Sequence, residues 1–295
     1  MKYSSGAAFR RAVEDRLRSI SLPSGVPLMR LRKLVAFDRF LARLVNSDPD
    51  VWVLKGGLAL QFRLGEKART TKDLDLLMLA DLRIAQRLLT RAASLDLNDW
   101  FTFELGSASA IHVGQQPNSL RFPAQALLDR RTFEEFHIDV GVGDPLEEHT
   151  DLLSGPALLS FAGISPASVP SYPLSQQIAE KLHAYTRPHE SGEGTRVKDL
   201  ADMLLMGQLA ALNAKSLRRA TRATFATRLT HPLPERLPDP PPSWKIPYAK
   251  LAEETQLPWR GIDQGFEALR KFIEPILEER VSGMWDPSRW SWKAP

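Results

Sequence analysis

Apolar positions recur at helical spacing towards both ends of the chain and at strand spacing between them. Residues 7–20 carry Phe9, Val13 and Leu17 on one face, and residues 26–46 carry Leu34, Phe37, Leu41, Leu44 and Val45 likewise, with charged side chains elsewhere. Val51-Trp52-Val53-Leu54 is a short apolar run closed by Gly56-Gly57, which predicts a buried strand and a turn, with a short helix over 58–64. A second buried strand is predicted over 74–79 and a helix over 81–94. Strands follow at 101–105, 110–113, 120–127 and 133–142, with Asp129-Arg130-Arg131 as a hairpin turn. After Pro145 the periodicity turns helical, at 174–187, 197–212, 215–228 and 264–280. Prolines crowd 232–247, predicting an irregular strap. The expectation is an α/β (α+β) lobe over 1–165, a mixed sheet flanked by helices, and a mostly helical lobe over 166–295.

Composition narrows the classes. At 295 residues, 43% hydrophobic and 25% charged, the chain can bury a sizeable core. It has no cysteine, which excludes disulfides, thiolate metal sites and thiol nucleophiles. The N-terminal MKYSSGAAFRRAVEDR returns to charge before any signal-like apolar run, and no stretch has the length of a membrane span, so a cytoplasmic protein with no membrane partner is expected. The net charge of +4 is small, so only a clustered basic surface would indicate a nucleic-acid partner.

The sharpest chemical feature is Thr71-Lys72-Asp73-Leu74-Asp75-Leu76-Leu77-Met78. Residues two apart on a strand share a face, so Asp73 and Asp75 sit side by side while Leu74, Leu76 and Met78 enter the core. Paired carboxylates beside a core repel unless a cation lies between them, and hard oxygen donors suit Mg²⁺. Two solvated aspartates at a strand end are the plain alternative. Lys55-Gly56-Gly57 stands where a strand meets a helix, and glycines there let backbone N–H groups approach a phosphate. An ordinary turn would read the same way. Arg69, Thr71 and Lys72 add cations and a hydroxyl just before the aspartates. On the strand over 133–142, alternation sets Asp139 on the polar face with His137, Gly141 and Gly143, a candidate third metal ligand; Asp144 falls off that face.

In the helical half, Lys181 borders the face of Ile178, Leu182 and Tyr185, from which its stem could reach a phosphate. Arg196, Asp199 and Asp202 are spaced as surface ion pairs on a helix. Lys215, Arg218, Arg219 and Arg222 form a basic stripe, with Arg228 beyond. No carboxylate lies between Lys215 and Arg228, so these cations read as unpaired and suited to an RNA backbone.

Taken together, Lys55-Gly56-Gly57-x-Ala59-Leu60, Arg69-x-Thr71-Lys72-Asp73-Leu74-Asp75, Lys181-Leu182-His183-Ala184 and Arg196-x-x-Asp199-x-x-Asp202-Met203 resemble the four motifs of AbiEii-like toxins. These are nucleotidyltransferases of toxin–antitoxin systems, including a MenT-like branch, within the DNA polymerase β nucleotidyltransferase superfamily. The resemblance spans residues 51 to 206. It implies Gly56 and Gly57 at the triphosphate of an NTP, Asp73 and Asp75 on Mg²⁺, Lys181 near the phosphates, and Lys181 and Asp202 as essential residues. It also implies transfer of a nucleotide to the 3′ end of tRNA, arrest of translation, and a cognate antitoxin. The gap from Gly57 to Asp73 exceeds the minimal superfamily pattern, and Asp139 is matched by alternation rather than by motif. Two rivals stay open: a protein or small-molecule hydroxyl as acceptor, and a non-catalytic NTP-binding module.

Overall fold

The computed structural model describes residues 2–113, 116–188 and 196–293. It divides into two compact units, Met1–Gly65 with Thr70–Gly143 and Asp151–Ser171, and Glu66–Arg69 with Asp144–Thr150 and Tyr172–Pro295.

The first unit opens with α1 (Gly6–Ser24), whose first turn is capped by the Ser5 hydroxyl accepting from the Ala8 N–H, and α2 (Leu28–Ser47). Then come β1 (Trp52–Lys55), α3 (Gly56–Leu64), β2 (Asp73–Met78) and α4 (Ala85–Ala93). Six more strands follow: β3 (Phe101–Leu105), β4 (Ser109–Val113), β5 (Gln116–Leu128), β6 (Arg131–Gly141), β7 (Asp151–Ser154) and β8 (Ser168–Ser171). They form a mixed eight-stranded sheet in the order β3-β5-β6-β2-β1-β8-β7, with β4 on β5. β2 runs antiparallel to β1 and parallel to β6. The β5–β6 hairpin turns at Asp129 and Arg130, both with positive φ (54° and 58°), the backbone a two-residue primed turn requires.

Alternation decides which face is core. Leu74, Leu76 and Met78 of β2 and Phe136, Ile138 and Val140 of β6 are buried in one core with the apolar face of α2, which packs on β6. Phe136 meets Phe37 edge-on with ring centres 5.1 Å apart. One wholly buried cation is matched by geometry: Arg43 donates to both oxygens of Asp99, at 3.0 and 2.7 Å, and to the Phe101 carbonyl. Asp73, Asp75 and Asp139 belong to the opposite face.

The second unit is mostly helical: α5 (Leu174–Thr186), α6 (Val197–Leu209), α7 (Ala214–Arg228), α8 (Lys245–Glu254) and α9 (Ile262–Leu277), then a hairpin of β9 (Trp285–Asp286) and β10 (Ser291–Trp292). Three indole N–H groups fasten the hairpin, Trp285 to the Gly207 carbonyl at 2.7 Å, Trp290 to Ala268 at 2.8 Å and Trp292 to Phe272 at 2.9 Å. No helix among the described residues is long and apolar enough to cross a membrane.

Several elements depart from the sequence expectation. The chain after Pro145 is not wholly helical, because β7 and β8 add two strands to the sheet. Each has four residues and β8 contains Pro170, too little pattern to register. The proline strap is shorter than 232–247, since a 3₁₀ turn at Pro242–Trp244 leads into α8 at Lys245. Pro247 falls in the first turn of α8, where its missing N–H costs nothing.

Candidate active site

The acidic face of the first unit is set by strand register. β1, β2, β6 and β5 place Lys55 opposite Asp75, Asp75 opposite Asp139, and Asp139 opposite Arg121, so one row crosses four strands. Asp73 lies one pleat away, opposite His137, whose Nδ1 is 3.4 Å from its Oδ1. Three carboxylates thus occupy one patch of sheet, as the alternation on β2 and β6 implies.

Gly56 begins α3 directly above this row. Its φ is +64°, and a Cβ built there would lie 2.0 Å from Asp75 Oδ2. A side chain at position 56 is therefore excluded twice, by backbone conformation and by the carboxylate. Gly56 and Gly57 form the first turn of a nine-residue helix, whose leading N–H groups have no partner within the helix. Thr71 is buried and its hydroxyl donates to the Asp73 carbonyl at 3.3 Å, which fixes the entry to β2. Lys72 is exposed.

His137, on this face by the same alternation, is joined by Arg121, which sequence reasoning passed over. Arg121 forks onto Asp139, its Nε to Oδ1 at 2.7 Å and its Nη2 to Oδ2 at 2.6 Å, and comes within 3.9 Å of Asp73. The hydrogen bond to Asp139 raises the guanidinium pKa above its ordinary value, against partial burial, and the charges of Asp139, Asp73 and Asp75 add to the rise. Arg121 and His137 also line a groove of about 850 Å³ together with Lys33, Lys72, Asp73 and Gln125.

These donors fit a hard divalent ion. Mg²⁺ is commonly held by one or two carboxylates with substrate phosphates completing the shell, and Asp73 and Asp75 could supply such a pair. Among the described residues no three histidine, aspartate or glutamate side chains converge closely enough to form a complete cage. Asp139, the expected third ligand, is engaged by Arg121.

The later motifs meet in the second unit. Asp202 is fully buried. Arg69 donates to it from Nε and Nη2 at 3.0 and 2.9 Å, and Lys181 Nζ lies 2.9 Å from its Oδ2. Lys181 also donates to Asp199 at 3.0 Å, and Arg196 pairs with Asp199 at 3.4 Å. Burial alone would raise the Asp202 pKa, but Lys181 and Arg69 outweigh it and hold the carboxyl below its ordinary 3.8. Burial likewise opposes the charge on Lys181, yet Asp202 and Asp199 raise its pKa above the ordinary 10.5. Two expectations change. Asp202 is the centre of an interior network rather than a surface pair, and the Lys181 ammonium turns towards carboxylates.

The basic stripe on α7 also changes character. Arg218 donates to the Val281 carbonyl at 2.6 Å, Arg219 lies 3.4 Å from Glu147, and Arg222 pairs with Glu279. Arg228 is held by Asp144 at 3.1 Å and Glu180 at 2.6 Å. The acids come from distant sequence, so a local scan finds none. Arg219, Arg222 and Arg228 are therefore not the unpaired cations expected, whereas Arg218 meets a carbonyl and Lys215 is exposed, neither with an ion pair among the described residues.

The profile described as "Nucleotidyl transferase AbiEii toxin, Type IV TA system" matches residues 39–283. No curated protein matches the chain. Among solved structures the chain is similar to MenT4, a nucleotidyltransferase toxin from Mycobacterium tuberculosis H37Rv, at 17% identity and a TM-score of 0.55, covering 90% of this chain and 97% of that one. It is also similar to a putative nucleotidyltransferase from H. pylori, at 17% identity and a TM-score of 0.43, covering 84% and 96%. The MenT4 likeness supports the mixed sheet flanked by helices. With the glycine turn, the carboxylate pair and the buried Lys181–Asp202 motif all inside the matched span, the chain belongs to the AbiEii family of nucleotidyltransferase toxins of type IV toxin–antitoxin systems.

Proposed function

We propose that this toxin transfers a nucleoside monophosphate from an NTP to the 3′-hydroxyl of an RNA, tRNA above all, and so stops translation until a cognate antitoxin restrains it. The observation carrying this reading is the row Asp75–Asp139 with Asp73 beside it, under a glycine whose missing side chain leaves room for the carboxylate. Asp73 and Asp75 would hold Mg²⁺, which when bound stabilises charge on the transferring and leaving oxygens. Gly56 and Gly57 offer backbone N–H groups and the positive end of α3 to phosphate. Asp139 accepts the proton of the attacking hydroxyl once its fork with Arg121 opens. Lys72 faces solvent at the groove wall, where it meets the phosphates of NTP or acceptor. Lys181 is the required cation of the second unit, and Asp202 with Arg69 positions it.

The engagement of Arg219 and Arg222 by acids favours keeping a second acceptor class, a protein or small-molecule hydroxyl, because half of the basic stripe is already paired. One experiment serves both readings. The purified chain is incubated with Mg²⁺ and each labelled NTP, with total tRNA or with a cell extract freed of RNA. Label entering tRNA with wild type and vanishing with Asp75→Asn supports the proposal. Label entering only the RNA-free fraction moves the acceptor to the second class, and transfer by Asp75→Asn overturns the site.

A further inference from the structure

We infer that Arg121 is the resident counter-cation of Asp139 on the acidic face, and that it gives up Asp139 when a divalent ion engages Asp73 and Asp75. The inference rests on the site reading above and adds a residue that none of the four motifs contains.

Three carboxylates in adjacent register repel one another; Lys55 stands opposite Asp75 and His137 beside Asp73, and Asp139 needs a compensating charge of its own in a folded chain without a metal. Arg121 meets that need by geometry. Strand pairing sets its Cα opposite Asp139, and its planar fork matches both carboxylate oxygens at 2.7 and 2.6 Å while standing 3.9 Å from Asp73. The same fork competes with a metal. It occupies the two oxygens that Asp139 would present, and a guanidinium a few ångströms from a divalent ion repels it. A cation serving only as structural cement would be enclosed, as Arg43 is at 0% side-chain exposure, whereas Arg121 is 39% exposed and lines the 850 Å³ groove. The side chain therefore has space into which it can withdraw, and in that groove it can meet anionic oxygens. Arg121 thus lowers the affinity of the empty face for metal and keeps the metal-free chain folded, so the face fills most readily when metal arrives with phosphates for the arginine to grasp.

The test needs no turnover. Mn²⁺ binding to the nucleotide-free chain is followed by electron paramagnetic resonance and by melting with and without chelator, for wild type, Arg121→Gln, Arg121→Lys and Asp75→Asn. Removing the competing charge is expected to tighten Mn²⁺ binding roughly tenfold in Arg121→Gln. That variant should melt lower than wild type in chelator and gain more from Mn²⁺, while Arg121→Lys, charged but forkless, falls between. Equal or weaker Mn²⁺ binding by Arg121→Gln overturns the inference while leaving the metal site standing, provided Asp75→Asn loses Mn²⁺. If Asp75→Asn binds Mn²⁺ as wild type does, or wild type binds none, the metal site and this inference fall together.

Discussion

The absent side chain of Gly56 and the carboxylate of Asp75 occupy one space: a Cβ at position 56 would stand 2.0 Å from Asp75 Oδ2 and 2.8 Å from its Cβ. At least one of the two must move if alanine replaces glycine, and φ of +64° adds backbone strain. Displacement of about 1 Å at a reacting centre costs on the order of a hundredfold in rate. Gly56→Ala should therefore lose about two orders of magnitude in nucleotide transfer while its melting temperature falls only modestly. A variant with near wild-type transfer would detach the glycine turn from catalysis.

The Asp202 network makes a prediction about folding. Removing one partner of a buried pair leaves uncompensated charge and costs about 3–5 kcal/mol. Asp202→Ala would take the carboxylate from the Arg69 fork and leave Lys181 to Asp199, so its denaturation midpoint should drop accordingly, whereas Asp202→Asn should lose less. Because the Asp202 pKa is lowered on folding, its contribution is present above the ordinary 3.8 and is lost as pH falls through the folded value. Lys181 has the opposite sign: its contribution is complete below 10.5 and is lost as pH rises through the raised value. Equilibrium unfolding of wild type and Lys181→Met at pH 9 and 11 should show the gap between them narrowing at the higher pH.

How far the site could be read from sequence depended on whether its parts were local. Asp73 and Asp75 are two apart on one strand, and Asp139 follows from alternation within β6, so each face assignment needs only neighbouring residues. Arg121 could not be placed that way. The hairpin begins in the register Leu128↔Arg131 and Leu127↔Thr132, which continued unbroken would set Arg121 opposite Ile138. An irregularity between Ala126 and Leu127 shifts the pairing by one and brings Arg121 to Asp139. The partners of Arg69, Arg219 and Arg222 are likewise supplied by segments far along the chain, and charge scans within one helix miss them. Short elements escaped for another reason: β7, β8, β9 and β10 each hold four residues or fewer, and their strand character comes from pairing rather than from their own periodicity.

His183 supplies a pH dependence in the acid range. It is buried on α5, its Nε2 lies 2.8 Å from the Thr230 hydroxyl, and its ring meets Phe225 edge-on at 4.9 Å. Burial first, then the charges of Arg228, His231 and Arg187, push its pKa down to about 3. Between 6.5 and 3 the unfolded chain binds this proton and the folded chain does not, so stability falls as pH drops through that window. Melting temperatures from pH 7 to 4 should decline less steeply for His183→Gln than for wild type. Parallel curves would show that the folded imidazole protonates freely.

The paired arginines of α7 turn acceptor identity into a question of salt. Arg219 and Arg222 are both more than half exposed, at 55% and 58%, and exposed pairs of this kind contribute about 0–1 kcal/mol each. Their replacement should scarcely affect folding, which leaves function as the informative readout. If RNA phosphates compete with Glu147 and Glu279 for these guanidiniums, Arg219→Glu with Arg222→Glu should raise the KM for RNA several-fold and leave the KM for NTP in place. The logarithm of RNA affinity should then fall less steeply with the logarithm of salt concentration, by about 0.7 to 0.9 per lost phosphate contact. An acceptor without phosphates gives no such change in slope. Unaltered RNA kinetics and salt dependence in the double variant would confine these arginines to exposed surface pairs and would move the search for an acceptor surface to the groove beside Asp73.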